Sequence, residues 1–516
     1  MKRTIVREAE PMSIPPLAAP RSHKIAAWLV AALATLVFGN VAAYIAYAGN
    51  PLAMADTWYF LDAFLVRAYE QGFGLVDLYV KRGGIDHAQP LQKLLLLANT
   101  RWFAMDFVVE SFAGLGMALG TYIVIQRQVL GDQARQQTPG WIKVVSGLAI
   151  AATIVSLNAG MIFNWSLVTL GYLPHLFAVI ACVLAWQALH GAGWLKFGLM
   201  FLLISFSMDS MASITGASLV VAGLLACLLR QAPWRQFPKL LGCILVMLLL
   251  YRLASAGYLH AHLPAAPAAD GRLDALVALL PSLPQMAVTI LGTSLAHMIP
   301  LQGWFGEGAA KAQTMLAIIV GCAHLWFWYR VLRQRWNGSI FLAVVMMLMF
   351  YASVLGIIVG RITVFGPTYL NEPRYVLTYQ MGIVALLVMF AGSFPVAHGS
   401  SGWRRHLGVA AAICVVLLQL PLSRHSWDEG RYLQGYYHTM ARQMYLLGLD
   451  PSLEPATCVP MLTICSAPEK ERERSIGFLQ RHQLNAYSPA ILARYSLQAT
   501  TTPPTPLQPM LVSPAP

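Results

Sequence analysis

Residues 339–360 read SIFLAVVMMLMFYASVLGIIVG, an uncharged apolar stretch that is long enough to cross a lipid bilayer as a helix. The composition of the whole chain agrees, since 57% of its 516 residues are hydrophobic and only 11% are charged. A soluble protein of this length carries far more charge on its surface. The sequence therefore predicts an integral membrane protein.

Further apolar stretches accompany this one along the chain. The predicted spans are residues 25–48, 102–126, 144–163, 167–189, 193–209, 211–229, 238–258, 313–332, 339–360, 375–396 and 406–422. Because backbone polar groups in the hydrocarbon region must bond to one another, each span is expected to be a helix. The predicted fold class is an all-α polytopic membrane protein with about eleven transmembrane helices.

Positive charge is concentrated on one side of the predicted membrane. The N-terminal tail and the even-numbered connections hold 17 of the 35 Lys and Arg residues but only three of the 22 acidic residues. Such an excess of Lys and Arg is typical of cytoplasmic loops. The bias places the N-terminus in the cytoplasm and the C-terminus outside, and it accounts for the net charge of +13 without a nucleic-acid partner.

These features divide the chain into four parts with two large external loops. The predicted parts are a basic cytoplasmic tail (1–24), a transmembrane domain (25–422), an external C-terminal segment (423–497) and a disordered tail (498–516). The two loops of the transmembrane domain are residues 49–101 and 259–312. The apolar stretch 286–300 in the second loop is short and follows two prolines, so we interpret it as a re-entrant or interfacial helix.

Two cysteines, Cys458 and Cys465, lie in the C-terminal segment that the charge pattern places outside the cytoplasm. An oxidising compartment permits a disulfide that closes this short loop. The alternative is a pair of free thiols. The other five cysteines fall within apolar spans and are interpreted as buried hydrophobic residues.

The first loop carries acidic and aromatic residues at the expected membrane surface. Asp56 follows the first span within a few residues, beside Trp58 and Tyr59. Partial burial at this interface raises the pKa of a carboxyl group toward the range that a general base needs. Asp56 is therefore a candidate catalytic base, and the alternative is an N-cap of a helix that starts at Thr57.

Two further acidic positions flank the second span. Asp106 and Glu110 are four residues apart, so a helix places them on one face, where they would face a cavity or, alternatively, water at the interface. The pair Asp86-His87 precedes a proline-led helix. A hydrogen-bonded structural histidine is the favoured interpretation there, since no ligand cluster with zinc spacing appears.

Arg374 opens a late span on the predicted external side, where positive charge is unusual. Its forked guanidinium donors suit a phosphate group. The alternatives are a salt bridge to Glu372 or extension of the side chain to lipid headgroups.

Several of these segments resemble bacterial GT-C-type membrane glycosyltransferases. Those enzymes place an acidic residue in a long first external loop, which here is Asp56, and the stretch DHAQPLQK (86–93) is similar to the polar segment before their second helix. Pro373-Arg374-Tyr375 and the stretch FLQRHQLNAY (478–487) resemble segments of uncharacterised bacterial members. The sequence departs from the best-known members in one respect, because their doublet of adjacent acids is here Asp56-Thr57.

The resemblance implies a multi-pass enzyme of the bacterial inner membrane that uses a polyprenyl-phosphate sugar donor at the periplasmic face. The acceptor would be a glycan, a lipid or a surface protein such as pilin. A divalent cation, Mg²⁺ or Mn²⁺, is the candidate cofactor, and the metal requirement is left open. The implied site residues are Asp56 as the base, Asp62, Asp86, Asp106 and Glu110 as supporting acids, Arg374, Arg361, Lys93 and Arg101 for the donor phosphate, and Trp58, Tyr59 and His87 for sugar or acceptor contact.

Two other functions fit the predicted topology. A flippase, ligase or polymerase of lipid-linked glycans would need the external arginines but not Asp56. A proton-coupled membrane transporter would use Asp106 and Glu110 as part of an ion path.

Overall fold

The described chain is largely helical, as a bilayer requires of a backbone that crosses it without water to bond. The computed structural model describes residues 21–81, 87–261, 272–393, 402–450 and 458–497. The predicted disordered tail, most of the cytoplasmic tail and Asp86 lie outside the described residues.

The first half of the chain forms the N-terminal helices and the first loop. Its described α-helices are α1 (Arg21–Ala48), α2 (Thr57–Phe60), α3 (Val66–Glu70), α4 (Leu75–Leu78), α5 (Pro90–Phe103), α6 (Phe107–Arg135), α7 (Gly140–Ile154), α8 (Met161–Asn164), α9 (Ser166–Thr169), α10 (Tyr172–Leu189), α11 (Trp194–Ser207), α12 (Asp209–Leu228) and α13 (Phe237–Ser255). A π-helical turn, Leu61–Leu65, joins α2 to α3. Two-residue strands β1 (Val80–Lys81) and β2 (His260–Ala261) pair in parallel and connect the first loop to the end of α13.

The second half of the chain completes the bundle and ends in a C-terminal segment. Its described α-helices are α14 (Arg272–Ala278), α15 (Leu283–Thr293), α16 (Met298–Phe305), α17 (Ala309–Arg333), α18 (Gly338–Ile357), α19 (Thr363–Phe365), α20 (Val376–Gly392), α21 (Gly402–Leu449), α22 (Glu469–Arg481) and α23 (Pro489–Arg494). Short 3₁₀ turns, Pro367–Asn371 and Pro373–Tyr375, connect α19 to α20.

Ten helical segments in the described residues are long and apolar enough to cross a membrane. They are Lys24–Ala48, Phe107–Arg135, Ser166–Leu189, Asp209–Leu228, Trp234–Ser255, Leu276–Thr293, Met298–Arg333, Gly338–Phe365, Pro373–Gly392 and His406–Leu449. The shorter apolar helices α7 and α11 lie among them. The protein is therefore an all-α polytopic membrane protein, as the sequence predicts.

The helices differ from the predicted spans in the first half of the bundle and in the second loop. α7 ends at Ile154, short of the predicted 163, because the polar turn that follows bonds elsewhere: the Asn158 amide donates to the carbonyl of Thr293 at 2.9 Å. The stretch 286–300, predicted as a re-entrant or interfacial helix, covers most of α15, the four residues that follow it and the start of α16. The segment Leu276–Thr293 that contains α15 has the length and apolarity of a span.

A second hydrophobic core lies at the end of the bundle where α1 ends and α6 begins. It combines described residues between 52 and 107, most of them in the first loop, with described residues between 437 and 497 of the C-terminal segment, and we call this unit the loop lobe. α21 runs for 48 residues across the predicted domain boundary at residue 422, so one helix belongs to both the bundle and the lobe. The first loop is therefore held by the C-terminal segment against the bundle.

Asn485 joins the two ends of the first loop at the base of this lobe. Its buried side-chain amide donates to the carbonyls of Pro51 and Met105 at 2.9 and 2.7 Å, and its side-chain oxygen accepts from the N–H of Ala53 at 3.1 Å. Asn485 has a φ of +50°, which asparagine tolerates better than most residues. The chain just after α1 and the chain just before α6 are thus fixed by one side chain.

A disulfide between Cys458 and Cys465 closes a short loop of the same segment. Within that loop, the carbonyl of Met461 accepts from the N–H of Ala55 at 2.8 Å, and the Thr463 hydroxyl donates to the carbonyl of Ala55 at 3.0 Å. The disulfide loop is therefore hydrogen-bonded to the backbone of the residue immediately before Asp56.

Candidate functional site

A recess opens where the first loop folds over the end of the transmembrane bundle. Its walls come from α2, α5, the start of α6 and α9, and its empty volume is about 360 Å³ when the solvent at its mouth is included. The lining residues are Thr57, Phe60, Gln89, Gln92, Lys93, Leu96, Phe107, Glu110, Ser166, Leu167 and Leu170. Lys93 and Glu110, two of the predicted site residues, therefore meet in one recess with largely apolar walls.

Lys93 is a buried cation on the recess wall. Its ammonium group donates to the carbonyl oxygens of Leu78 and Val80 at 2.7 and 2.6 Å. Burial lowers the pKa of Lys93 to about 7; Asp209 opposes this shift and Lys81, which pairs with Asp209 at 3.2 Å, adds to it. The charge of Lys93 therefore responds to pH near neutrality, and backbone carbonyls hold its ammonium group.

The lowered pKa of Lys93 predicts a dependence of stability on pH. Between the folded-state pKa of about 7 and the ordinary value of 10.5, the unfolded chain binds the proton more tightly. The free energy of unfolding should therefore rise with pH across this window, by at most about 1.4 kcal/mol per pH unit, and become flat below pH 7. Unfolding temperatures measured by tryptophan fluorescence between pH 7 and 10 should rise in the wild type relative to Lys93→Met. Parallel curves for the two proteins would contradict this account of Lys93.

The two acidic residues at the start of α6 have different environments. Asp106 caps the helix, since its carboxylate accepts from the N–H of Val108 at 2.9 Å; burial raises the pKa of Asp106, although this bond opposes the shift. Glu110 lies one turn further along, is only 5% exposed and accepts from the Asn99 amide at 2.9 Å. Of the predicted pair, Asp106 therefore caps the helix, whereas Glu110 lines the recess.

Gln92 is a recess residue that sequence reasoning did not single out. It is 4% exposed, and neither atom of its side-chain amide has a hydrogen-bond partner among the described residues. Gln92, Leu96 and Asn99 recur at helical spacing on the buried face of α5. The two polar residues of that set, Gln92 and Asn99, share a face with Leu96, and polar residues on an otherwise packed face are the signal in the sequence that could have identified Gln92.

Arg374 lies among aromatic rings beside the recess. Its guanidinium is 5.8 Å from the ring centre of Trp165, 5.2 Å from that of Tyr369 and 5.6 Å from that of Tyr375, and it donates to the Tyr369 hydroxyl. The Glu372 carboxylate, the partner that the salt-bridge alternative requires, is 4.0 Å away. The Arg374 side chain is 26% exposed, and its Nε has no partner among the described residues. We call Arg374 and these three rings the arginine cage.

The recess and the arginine cage share a wall. Trp165 of the cage is followed directly by Ser166, whose side chain lines the recess and interacts with Glu110. The cation of the cage and the carboxylate of the recess therefore contact two consecutive residues of the chain. Sequence reasoning did not find this wall, because Trp165 and Arg374 are more than 200 residues apart.

Asp56 lies at the edge of this region, directly before α2. Asp56 is half-buried. The N-cap alternative requires its carboxylate to accept a hydrogen bond from the first turn of α2, and its side chain makes no such capping bond. The following residue, Thr57, lines the recess, whereas Asp56 itself is not among the lining residues. Asp56 thus lies directly beside a residue of the recess and outside the recess lining itself.

The loop lobe buries two residues that were expected at the site. Asp62 accepts from Nε of Arg474 at 2.6 Å and its side chain is 1% exposed, so it forms a structural ion pair. Trp58 is 3% exposed and packs in the core of the lobe, which leaves its ring no open face for a sugar. Asp62 and Trp58 thus make contacts within the lobe, their roles at the site stay predictions, and Tyr59 is half-buried beside them.

The remaining predicted residues do not line the recess. His87 is exposed. Arg101 is exposed at the end of α5 beside two exposed aromatic residues, Trp102 and Phe103, a combination typical of a membrane interface. Arg361 is half-buried and interacts electrostatically with Tyr375 of the arginine cage.

Groups of three or more His, Cys, Asp or Glu side chains placed to hold a metal ion are absent from the described part of the chain. The predicted acids have separate partners instead: Asp62 bonds to Arg474, Asp106 to its own helix and Glu110 to Asn99. A divalent cation at this site stays a prediction.

Comparisons with known protein families, curated proteins and solved structures gave no match. The function has to be inferred from the chemistry of the site itself. That site combines a buried carboxylate, a lysine with a pKa near neutrality, an unpartnered amide and a guanidinium framed by aromatic rings. Such a set suits a ligand that has an anionic group joined to a polar head.

Proposed function

We propose that this protein is a membrane glycosyltransferase that moves a sugar from a polyprenyl-phosphate donor to an acceptor at the external face of the bacterial inner membrane. The observation that carries the proposal is the arginine cage. The Arg374 side chain is 26% exposed, its ion pair with the Glu372 carboxylate is long at 4.0 Å, and its Nε lacks a partner among the described residues. A partly buried guanidinium with donors to spare can bind a further anion, and its forked geometry matches phosphate.

The position of the cage supports a lipid-linked donor. Arg374 lies in the turn that opens the apolar segment Pro373–Gly392, at the end of the bundle covered by the loop lobe. A donor whose phosphate is at this level would keep its prenyl chain among apolar helices and its sugar under the lobe. In this arrangement, with the N-terminus in the cytoplasm, the lobe faces the periplasm.

The reaction assigns roles to Asp56, Arg374 and Arg361. The acceptor hydroxyl attacks the anomeric carbon of the sugar, the bond from that carbon to the phosphate oxygen breaks, and the polyprenyl phosphate leaves with the bonding electron pair. Asp56, beside the recess, takes the proton of the acceptor. Arg374, with Arg361 nearby, stabilises the charge that develops on the phosphate.

Replacing Arg374 tests this proposal in cells. In a deletion strain, mass spectrometry of envelope glycans and pilin should show the loss of one sugar modification, which the wild-type chain restores. Arg374→Ala should restore roughly a hundredth of it or less, because the phosphate loses its main charge partner.

A matched control is Arg333→Ala, since Arg333 is also an arginine near a tyrosine ring, 6.0 Å from that of Tyr329, but is exposed at the end of α17. This variant should restore the modification fully, with membrane levels of both variants checked by immunoblot. Full restoration by Arg374→Ala would refute the assignment of the phosphate to the cage.

A proton-coupled transporter is the second candidate, because Glu110 is a buried carboxylate within the apolar segment Phe107–Arg135. That function would make proton uptake into liposomes depend on Glu110 and not on Arg374. Loss of uptake in Glu110→Gln, with normal uptake in Arg374→Ala, would favour it.

A further inference from the structure

The backbone immediately before Asp56 adopts a conformation that alanine rarely takes. Ala55 has a φ of +47°, in the left-handed region where the Cβ atom of an L-residue crowds its own backbone. The N–H of Thr57 donates to the carbonyl of Met54 at 3.1 Å. This bond makes Ala55 and Asp56 the two central residues of a turn. Glycine, asparagine and aspartate are the usual residues at a turn position with positive φ, so contacts from elsewhere must hold alanine there.

The contacts that hold Ala55 come from the loop that the disulfide between Cys458 and Cys465 closes. Both backbone polar groups of Ala55 bond to this loop. The N–H of Ala55 donates to the carbonyl of Met461 at 2.8 Å, and the carbonyl of Ala55 accepts from the hydroxyl of Thr463 at 3.0 Å. Two directed bonds from one loop thus favour the strained conformation at this position over the ordinary ones.

The disulfide loop is itself fixed to two helices of the loop lobe. The N–H of Met461 donates to the hydroxyl of Tyr436 on α21 at 3.2 Å. The guanidinium of Arg472 on α22 donates to the carbonyl of Cys465 at 2.8 Å. The loop is therefore a fixed support for Ala55, and the disulfide keeps the two ends of that support together.

We propose that the disulfide loop positions the base of the transfer reaction, with Thr463 and the bond between Cys458 and Cys465 as its positioning elements. A rotation about the backbone of Ala55 would change the direction of the following residue and so move the carboxylate of Asp56. Because a base must lie within hydrogen-bond reach of the proton that it takes, this displacement lowers the rate of transfer and leaves donor binding intact. The proposal rests on the glycosyltransferase function and on Asp56 as its base.

The same contacts make transfer depend on the redox state of the loop. In the orientation proposed above, the two cysteines lie in an oxidising compartment outside the cytoplasm. The base would then reach its working position only once the disulfide between Cys458 and Cys465 has formed. A chain with both thiols reduced would bind the donor and transfer its sugar slowly.

Thr463→Val tests the positioning hydroxyl, because valine has a similar size and lacks the donor. Transfer in the deletion strain should fall roughly tenfold. The full-length variant in lipid nanodiscs should still retain a labelled polyprenyl phosphate as the wild type does. Thr463→Ser restores the donor and should transfer normally. The matched control is Thr439→Val, which removes a hydroxyl that donates to the carbonyl of Gly435 at 3.1 Å within α21 and should change neither measurement.

Removal of the disulfide is a second and independent test. The double variant Cys458→Ser/Cys465→Ser should lose roughly ten- to a hundredfold in transfer while its retention of polyprenyl phosphate stays normal. Adding Ala55→Gly should recover about fivefold or more of this loss, because glycine adopts a positive φ without strain. A general contribution of the disulfide to the stability of the lobe predicts no such recovery.

The results that would overturn the inference are distinct from those that would overturn the proposed function. Normal transfer by Thr463→Val and by the cysteine double variant, with Asp56→Asn inactive, would overturn the positioning role and leave the glycosyltransferase proposal standing. Full activity of Asp56→Asn would remove the base and overturn the inference with it. Parallel losses of transfer and of polyprenyl-phosphate retention would show a general structural role, and a Thr463→Ser variant as slow as Thr463→Val would assign the effect to packing; either result would overturn the inference.

Discussion

Asp56→Asn should reduce sugar transfer by roughly 10²- to 10⁴-fold while the protein inserts and folds normally. The substitution keeps the shape of the side chain and removes its ability to accept a proton. Asp56 is half-buried beside the recess, and its backbone neighbour Ala55 is held by the disulfide loop, so the variant should not disturb the surrounding structure. Transfer is measured as the restored glycan modification in the deletion strain, normalised to protein in the membrane.

Two comparisons make this result specific. Asp428→Asn removes an exposed carboxylate on α21 and should leave transfer unchanged. Glu110→Gln keeps an oxygen that can accept from Asn99, and it shows whether the carboxylate in the recess has a chemical role of its own. Full activity of Asp56→Asn would remove Asp56 from catalysis. Together with an inactive Arg374→Ala, that outcome would favour a flippase, ligase or polymerase.

Asn485→Ala should have the largest effect on stability, with a loss of roughly 2–5 kcal/mol in the free energy of unfolding. The substitution removes the side-chain partner of two buried backbone groups, the N–H of Ala53 and the carbonyl of Met105, and one of the two bonds to the carbonyl of Pro51, which keeps the bond from the N–H of Phe107. Because these groups lie at both ends of the first loop, we expect the loop lobe to separate from the bundle before the bundle unfolds. Detergent-solubilised protein should show a lowered unfolding temperature and faster proteolysis within the first loop.

An exposed asparagine provides the control for this prediction. Asn40 also joins two helices, since its amide donates to the Ser423 hydroxyl at 3.0 Å and its oxygen accepts from the indole of Trp427 at 3.2 Å. Because Asn40 lies within a membrane-spanning helix, Asn40→Ala should lower the stability by roughly 1 kcal/mol, the usual size for hydrogen bonds between transmembrane helices. Equal unfolding temperatures for Asn485→Ala and the wild type would show that the first loop is held by other contacts.

The membrane-crossing helices could be predicted from the sequence because their signal is local. Residues 339–360 show it most clearly: apolar length and the absence of charge determine that this stretch is a helix, and α18 begins at Gly338 as expected. The same reasoning failed for the ends of α7, where the polar side chain of Asn158 bonds to a residue on α15. Helix ends set by such distant contacts are not visible in a local pattern.

The loop lobe could not be predicted because its contacts join the two ends of the chain. Asp62 was expected at the site as a supporting acid, and its partner Arg474, which is 412 residues away, could not be identified from the sequence. The burial of Trp58 has the same origin, since the C-terminal segment supplies part of the core around it. The unusual charge of Arg374 pointed to a special position, whereas the rings around it come from separate segments that only the fold brings together.

Competition between polyprenyl phosphate and the corresponding alcohol tests the central claim most directly. The wild type in lipid nanodiscs is loaded with a labelled polyprenyl-phosphate sugar, and each unlabelled lipid is added in turn while the retained label is measured. The phosphate lipid should displace the label and the alcohol of equal chain length should not, and Arg374→Ala should retain little label from the start. Equal displacement by the two lipids would contradict the claim that the cage around Arg374 binds the donor phosphate.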